Sequence, residues 1–172
     1  LNRENIFNNN VSKNKDGYTL ILDTDTIVLN TPKLDFDKEI YVKPTTQNQL
    51  TVNQWQELLS NLNLDYISGE NYHFNLGVIL IKNSILKRMY SYHIEHLETL
   101  RVLESYHRHF SIQLYCSMLI HKFSWGKLNN RINVFSVDIT KYNKNLPIDI
   151  LHYLGSSGFN SEVKQILSKF KI

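Results

Sequence analysis

The chain has 172 residues, 42% of them hydrophobic, and a formal charge of +3, which suits one well-cored domain over residues 1–172 and is short for two. Its positive charge is dispersed: the nearest thing to a basic run, Lys82, Lys87 and Arg88, is diluted by Asn, Ser and Ile, so nucleic acid is not implied as a partner. No stretch approaches the ~18 apolar residues of a membrane span and Leu1 opens no signal-peptide pattern, so no transmembrane segment and a cytoplasmic location are expected.

Leu1 to Gly17 is polar and rich in Asn, and reads as a loop or short frayed helix. Tyr18 to Asn30 then runs apolar, Asp23-Thr24-Asp25, apolar, between the turn formers Lys15-Asp16-Gly17 and Asn30-Thr31-Pro32. The run is short, β-branched and lacks a 3.6-residue period, which predicts a buried strand with the two aspartates at its end. Residues i and i+2 of a strand face the same way, so the two carboxylates can converge. Like charges that close need a neutralising partner, and a hard divalent cation such as Mn²⁺ or Mg²⁺ supplies it. The alternative is a solvated turn with two incidental acids.

Glu39 to Lys43 reads as a short strand that Pro44 ends. Thr51 to Leu62 reads as an amphipathic helix with Thr51 as its cap and Trp55 as a packing residue. Val78 to Ile81 is a second buried strand with Asn75 and Gly77 at its entrance, where a glycine signals a bulge or a close backbone approach. Asn83 to about Ser105 is expected to be one long helix with a stripe from Leu86 through Ile94 and Leu97 to Leu103, and with solvated His93 and His96. His107 and His109 bracket Arg108 in a turn. Ser111 to Phe123 is a further helix, carrying Gln113 and the lone Cys116, which reads as a small buried hydrophobe. Trp125 to Asn133 reads as a loop and Val134 to Val137 as a strand. Asp149 to Gly155 is a short apolar strand interrupted by His152 and running into Gly-Ser-Ser-Gly. His152 is either a core histidine or a third metal ligand, and the glycine-serine loop could offer N–H groups to phosphate. A last helix is expected over Glu162 to Phe170.

The order of these pieces resembles the family 8 glycosyltransferases, which include glycogenin and the bacterial lipopolysaccharide galactosyltransferases. The resemblance rests on apolar-Asp23-x-Asp25, Phe74-Asn-x-Gly-Val78, the Gln113 helix, Trp125…Leu128…Asn133 and Ile150-Leu-His-Tyr-x-Gly155. It implies an α/β GT-A fold, a mixed sheet flanked by helices, and metal-dependent transfer of a hexose from a nucleotide-diphosphate sugar, UDP-sugar foremost, to an acceptor hydroxyl with retention. The acceptor would be a glycan, a lipid-linked glycan or a protein. By the same resemblance, Asp25 and His152 bind Mn²⁺ (or Mg²⁺), Asp23 holds metal or ribose, Asn75 and Gly77 lie beside the donor sugar, Gln113 assists the chemistry, and Gly155 approaches the diphosphate.

Three departures stand against that pattern. Gly158-Phe159-Asn160 replaces the family's Lys-Pro-Trp, Ile112 replaces an Asp before Gln113, and only 17 residues precede Tyr18 where the family carries a Rossmann-like nucleotide-binding half. A truncated fold is therefore the expectation. Two other readings remain: a degenerate, non-catalytic domain that binds sugar or a partner, and a haloacid dehalogenase-type phosphatase with Asp23 as nucleophile, Asp25 as acid/base and Mg²⁺.

Overall fold

The computed structural model describes residues 16–34, 36–45, 50–107, 110–135 and 147–152, with the single positions 164 and 168. Gly155, Gly158 to Asn160, His109 and all but two positions of the helix expected after Glu162 lie outside the described residues.

The described residues form, in chain order, β1 (Tyr18–Leu22), β2 (Thr26–Val28), β3 (Ile40–Pro44), α1 (Val52–Asn61), β4 (Phe74–Lys82), α2 (Asn83–Glu95), α3 (Leu97–Tyr106), α4 (Ser111–Ile120), β5 (Trp125–Lys127), β6 (Val134–Phe135) and β7 (Ile150–His152). A mixed sheet has the order β1-β4-β3-β5, and a smaller one the order β2-β7-β6. In the larger sheet β4 runs antiparallel to both β1 and β3, while β5 is parallel to β3.

β4 organises the molecule because both of its faces are covered. Ile79 and Ile81 join Ile40, Val42, Ile85, Leu86 and Phe123 on one face, while Val78 and Leu80 join Tyr41, Leu128, Ile132 and Ile150 on the other. A strand buried on both faces must read as a continuous apolar run, as Leu76 to Ile81 does. Phe74 and Leu76 share a face with Ile79 and Ile81. Strict alternation forbids that, so the pleat must be broken between Leu76 and Ile79. The register shifts there: Tyr41 pairs with Leu80 but Lys43 with Asn75, so two steps along β3 oppose five along β4. Gly77 lies inside this irregular stretch.

A third cluster joins the helices: Trp55, Leu58, Leu59 and Leu62 of the α1 region against Leu103 of α3 and Leu114, Tyr115, Met118 and Leu119 of α4. Thr51 caps α1 through a reciprocal box with Gln54, and Trp55 is a buried packing residue as expected. The long helix expected from Asn83 to Ser105 is instead two, broken at His96. The break hands the chain from one core to another, since Ile85 and Leu86 pack on the sheet and Leu103 among the helices. Ile94 and Leu97, at the join, are consequently exposed rather than part of a stripe. His93 and His96 are partly covered by Tyr115 and Tyr92. Trp125 to Lys127, read as loop, is strand β5. Three residues are too few for a periodic signal, and only the pairing with β3 defines them. No helix of the described residues is long and apolar enough to cross a membrane.

His121, just after α4, is a second consequence of this packing. Its ring lies against Tyr72 and Phe74, and its Nε2 meets the Asn71 carbonyl at 3.1 Å. Burial holds its pKa below the usual 6.5, against the opposing pull of Glu70 and of the Asn71 carbonyl. The unfolded chain therefore takes up a proton near pH 6.5 that the folded chain resists, so this histidine costs stability as pH falls through and below that value. Melting curves across mildly acidic pH are expected to show this loss, and His121→Phe, which keeps the ring, is expected to flatten it.

Candidate active site

The Asp23-Thr24-Asp25 segment leaves the larger sheet and enters the smaller one. The Asp23 N–H donates to the Gly77 carbonyl at 2.8 Å, ending β1 against β4. The Thr26 N–H and hydroxyl both donate to the Asp23 carbonyl, at 3.2 and 2.7 Å, and close a turn. Asp23 and Asp25 are thus set by a turn between strands of two sheets. The pleat of a single buried strand, the geometry expected from sequence, is not what pairs them, and β1 itself is only half-buried.

β7 brings the third group. It pairs antiparallel with β2, placing His152 opposite Thr26, and parallel with β6, placing it beside Phe135. The smaller sheet is anchored by bonds from Leu29 N–H to the Asp149 carbonyl (2.8 Å) and from the Asn30 amide to the Ile148 carbonyl (2.7 Å). Buried Asp149 is held by Arg131 at 2.6 Å. A strand this short needs such anchors to hold register.

The result is a cluster in which Asp23, Asp25 and His152 each offer a ligand atom within 4.8 Å of the others. His152 Nε2 lies 3.3 Å from an Asp25 carboxylate oxygen; the His152 side chain is 5% exposed and that of Asp25 43%. The site is therefore walled on the histidine side and open on the carboxylate side. Burial lowers the His152 pKa, opposed by Asp25 and Asp23, with Lys43 adding to the depression. Two carboxylates and a neutral imidazole make a donor set that suits Mn²⁺ and tolerates Mg²⁺. Two anions and a lone-pair donor converging without a cation would be unfavourable, so the residues fit a divalent ion.

Gly77 is required by this arrangement. A Cβ on it would lie 2.8 Å from His152 Nε2 and closer still to Cε1, so the imidazole occupies the space that a side chain would fill. The glycine sits in the β4 irregularity, as one sequence alternative had it, and it also permits the close approach of the His152 side chain. Asn75, two residues earlier, accepts a bond from the Gly77 N–H at 3.1 Å on its Oδ1, which also meets the Asn133 amide nitrogen at 2.9 Å. Asn133 Oδ1 in turn lies 2.9 Å from His152 Nδ1. The Lys43 ammonium donates to the Asn133 carbonyl at 2.8 Å and lies 3.7 Å from the Phe135 ring centroid.

Of the residues singled out by sequence, Asp23, Asp25 and His152 come together directly, Gly77 lies against the histidine ring, and Asn75 is linked to it through Asn133. Gln113 is bonded to buried His73 through a 3.0 Å contact with its Nε2, so its amide links α4 to the start of β4. Ile112, which precedes it, is 51% exposed. Gly155 lies outside the described residues. Asn133 and Lys43 were not assigned roles from sequence. One signal for Asn133 was present: an asparagine between apolar Ile132 and Val134 is well placed for a left-handed conformation, and its φ is 60°.

No family model matches the sequence, and no curated protein matches it either. Solved structures do match by shape. An active-site mutant of the galactosyltransferase LgtC superposes with a TM-score of 0.57 at 14% identity, covering 99% of this chain and 65% of that one. The glycosyltransferase GlyE of Streptococcus pneumoniae does so with a TM-score of 0.54 at 18% identity, covering 99% of this chain and 42% of that one. The chain thus spans less than two thirds of the length of either. What these matches share with it is the arrangement of strands and helices, and the chain has the GT-A glycosyltransferase fold.

Proposed function

We propose that this chain binds a nucleotide-diphosphate sugar, UDP-sugar foremost, and transfers its hexose to an acceptor hydroxyl. The observation that carries the reading is the convergence of Asp23, Asp25 and His152 within a glycosyltransferase fold. A bound Mn²⁺ (or Mg²⁺) would neutralise the diphosphate and make it a better leaving group. Asp25 and His152 would ligate that ion, and Asp23 would hold the ion or the ribose. Asn75 and Gly77 border the same corner and would lie beside the donor sugar, Gly155 would approach the diphosphate, and Gln113 would assist from α4. In the reaction the bond from the anomeric carbon to the diphosphate oxygen breaks, a bond to the acceptor oxygen forms, and the acceptor proton leaves with the diphosphate or solvent. Retention at the anomeric carbon and a glycan, lipid-glycan or protein acceptor belong to this reading.

One observation favours a second reading, a domain that binds without turnover. The position of an expected carboxylate is occupied by exposed Ile112, and the neighbouring Gln113 amide is engaged by His73. The phosphatase alternative loses ground, because the fold is shared with glycosyltransferases.

A panel of nucleotide sugars with Mn²⁺ and simple sugar acceptors separates these readings. Release of nucleoside diphosphate together with a glycosylated product, abolished by Asp25→Asn, is the expected result, and the anomeric configuration of the product by NMR tests retention. Binding of donor with no release would support the non-catalytic reading. Hydrolysis of p-nitrophenyl phosphate that depends on Asp23 would overturn the transferase assignment.

A further inference from the structure

The Gly77 N–H, the half-buried Asn75 and the buried Asn133 form a relay behind His152 whose polarity can be read from one end. The end is the Gly77 N–H, a backbone group that can only donate. It donates to the Asn75 side chain at 3.1 Å, so the Asn75 atom facing it is the carbonyl oxygen. The same oxygen meets the Asn133 side chain at 2.9 Å, and two oxygens would repel there, so the Asn133 atom facing it is the amide nitrogen. The other end of the Asn133 amide is then its oxygen, and this lies 2.9 Å from His152 Nδ1. An oxygen at that distance accepts, so the proton of the neutral ring sits on Nδ1.

Each link is held in place. Asn133 is fully buried and adopts φ 60°, and its own carbonyl takes a bond from Lys43 at 2.8 Å, so its side chain leaves the backbone in a fixed direction. Gly77 leaves no room for anything but the His152 ring. With the proton on Nδ1, the other nitrogen, Nε2, carries a bare lone pair and faces an Asp25 oxygen at 3.3 Å. A lone pair against a carboxylate at that distance is unfavourable until a cation enters between them.

We propose that Asn133, oriented by Asn75 and the Gly77 N–H, is a positioning residue that locks His152 as the Nδ1–H tautomer and so presents an unprotonated Nε2 to the Asp23/Asp25 side. The inference deepens the metal reading above, but its first consequence concerns the metal-free protein. Partners of this kind, lying behind a ligating histidine, typically change metal affinity by about 10–100-fold when removed.

The test is the ¹⁵N chemical shifts of the His152 ring in the metal-free protein, at alkaline pH where imidazole is neutral. The expected wild-type pattern is protonated Nδ1 and bare Nε2. Asn133→Gly tolerates the positive φ while removing the amide, and is expected to give a tautomer mixture and Mn²⁺ binding by calorimetry weakened about 10–100-fold. Asn75→Asp keeps an acceptor for the Gly77 N–H and the Asn133 amide, and is expected to keep the Nδ1–H form. A wild-type ring protonated on Nε2 overturns the proposal even if the variant does not fold, and so does Asn133→Gly that retains the pure Nδ1–H pattern. If wild type binds no Mn²⁺ yet shows the expected tautomer and the expected mixture in the variant, the relay stands and the proposed function fails.

Discussion

Mn²⁺ with a nucleotide-diphosphate sugar is expected to raise the melting temperature of the wild-type chain, and Asp25→Asn or His152→Ala is expected to abolish the rise. At a free ligand concentration 100 times Kd, binding adds about 2.7 kcal/mol to stability. For a chain of this size that corresponds to roughly 5–10 °C. The two substitutions act differently on the unliganded protein, which makes the pair informative. Asp25→Asn removes one of two converging like charges and leaves the backbone untouched, so its basal melting temperature should equal or exceed that of wild type. His152→Ala deletes a buried ring and leaves the Asn133 amide oxygen without its His152 partner, so its basal melting temperature should fall. Loss of the shift in both, with basal stabilities moving in opposite directions, identifies removal of ligands rather than unfolding. A shift that survives in both variants would remove the metal centre from this cluster.

Gly77→Ala is expected to damage stability and metal binding together. The new methyl would lie 2.8 Å from His152 Nε2, inside any normal contact. Neither side can yield easily. β4 is packed on both faces, and the imidazole is held by Asn133 and lies edge-on to Phe135 at 5.7 Å. Overpacking of this kind typically costs about 1–3 kcal/mol, or roughly 3–10 °C in melting temperature for a chain of this length. If the ring moves to relieve the clash, Nε2 leaves its place beside Asp25, so Mn²⁺ affinity should fall further than stability alone explains. A double-mutant cycle isolates the cause. In a His152→Ala background the space opposite Gly77 is vacant, so Gly77→Ala should there cost little; an equal cost in both backgrounds would mean that the strand irregularity, and not the histidine, demands the glycine.

The glycine shows where sequence reasoning stops. That Gly77 interrupts an apolar run is visible in the chain, and so is the choice between a bulge and a close approach. Which atom approaches is not visible, because His152 is 75 positions away in sequence and only the β2–β7 pairing brings it across. The α2/α3 break has the same origin. The apolar spacing from Leu86 to Leu103 is continuous, but its two ends pack in different cores, and that division is a property of the assembled layers.

What the sequence by itself determined is local or ordinal. It marked the strands around the Asp pair and through Val78 to Ile81, the capped helix after Thr51, and the order of short motifs whose resemblance pointed to the GT-A fold and to Asp23, Asp25 and His152. These could be read because alternation, capping and side-chain chemistry act over a few residues. Tertiary structure alone decided that a turn rather than a pleat pairs the aspartates. It also placed Gln113 against His73 and made Asn133 the partner of His152. The last two share a physical reason: each is a hydrogen bond whose partner is chosen by strand register or helix packing, and no local pattern in the chain encodes which distant group will be opposite; the turn itself closes locally between Thr26 and Asp23, but its anchor on the Gly77 carbonyl is set by the β1–β4 pairing.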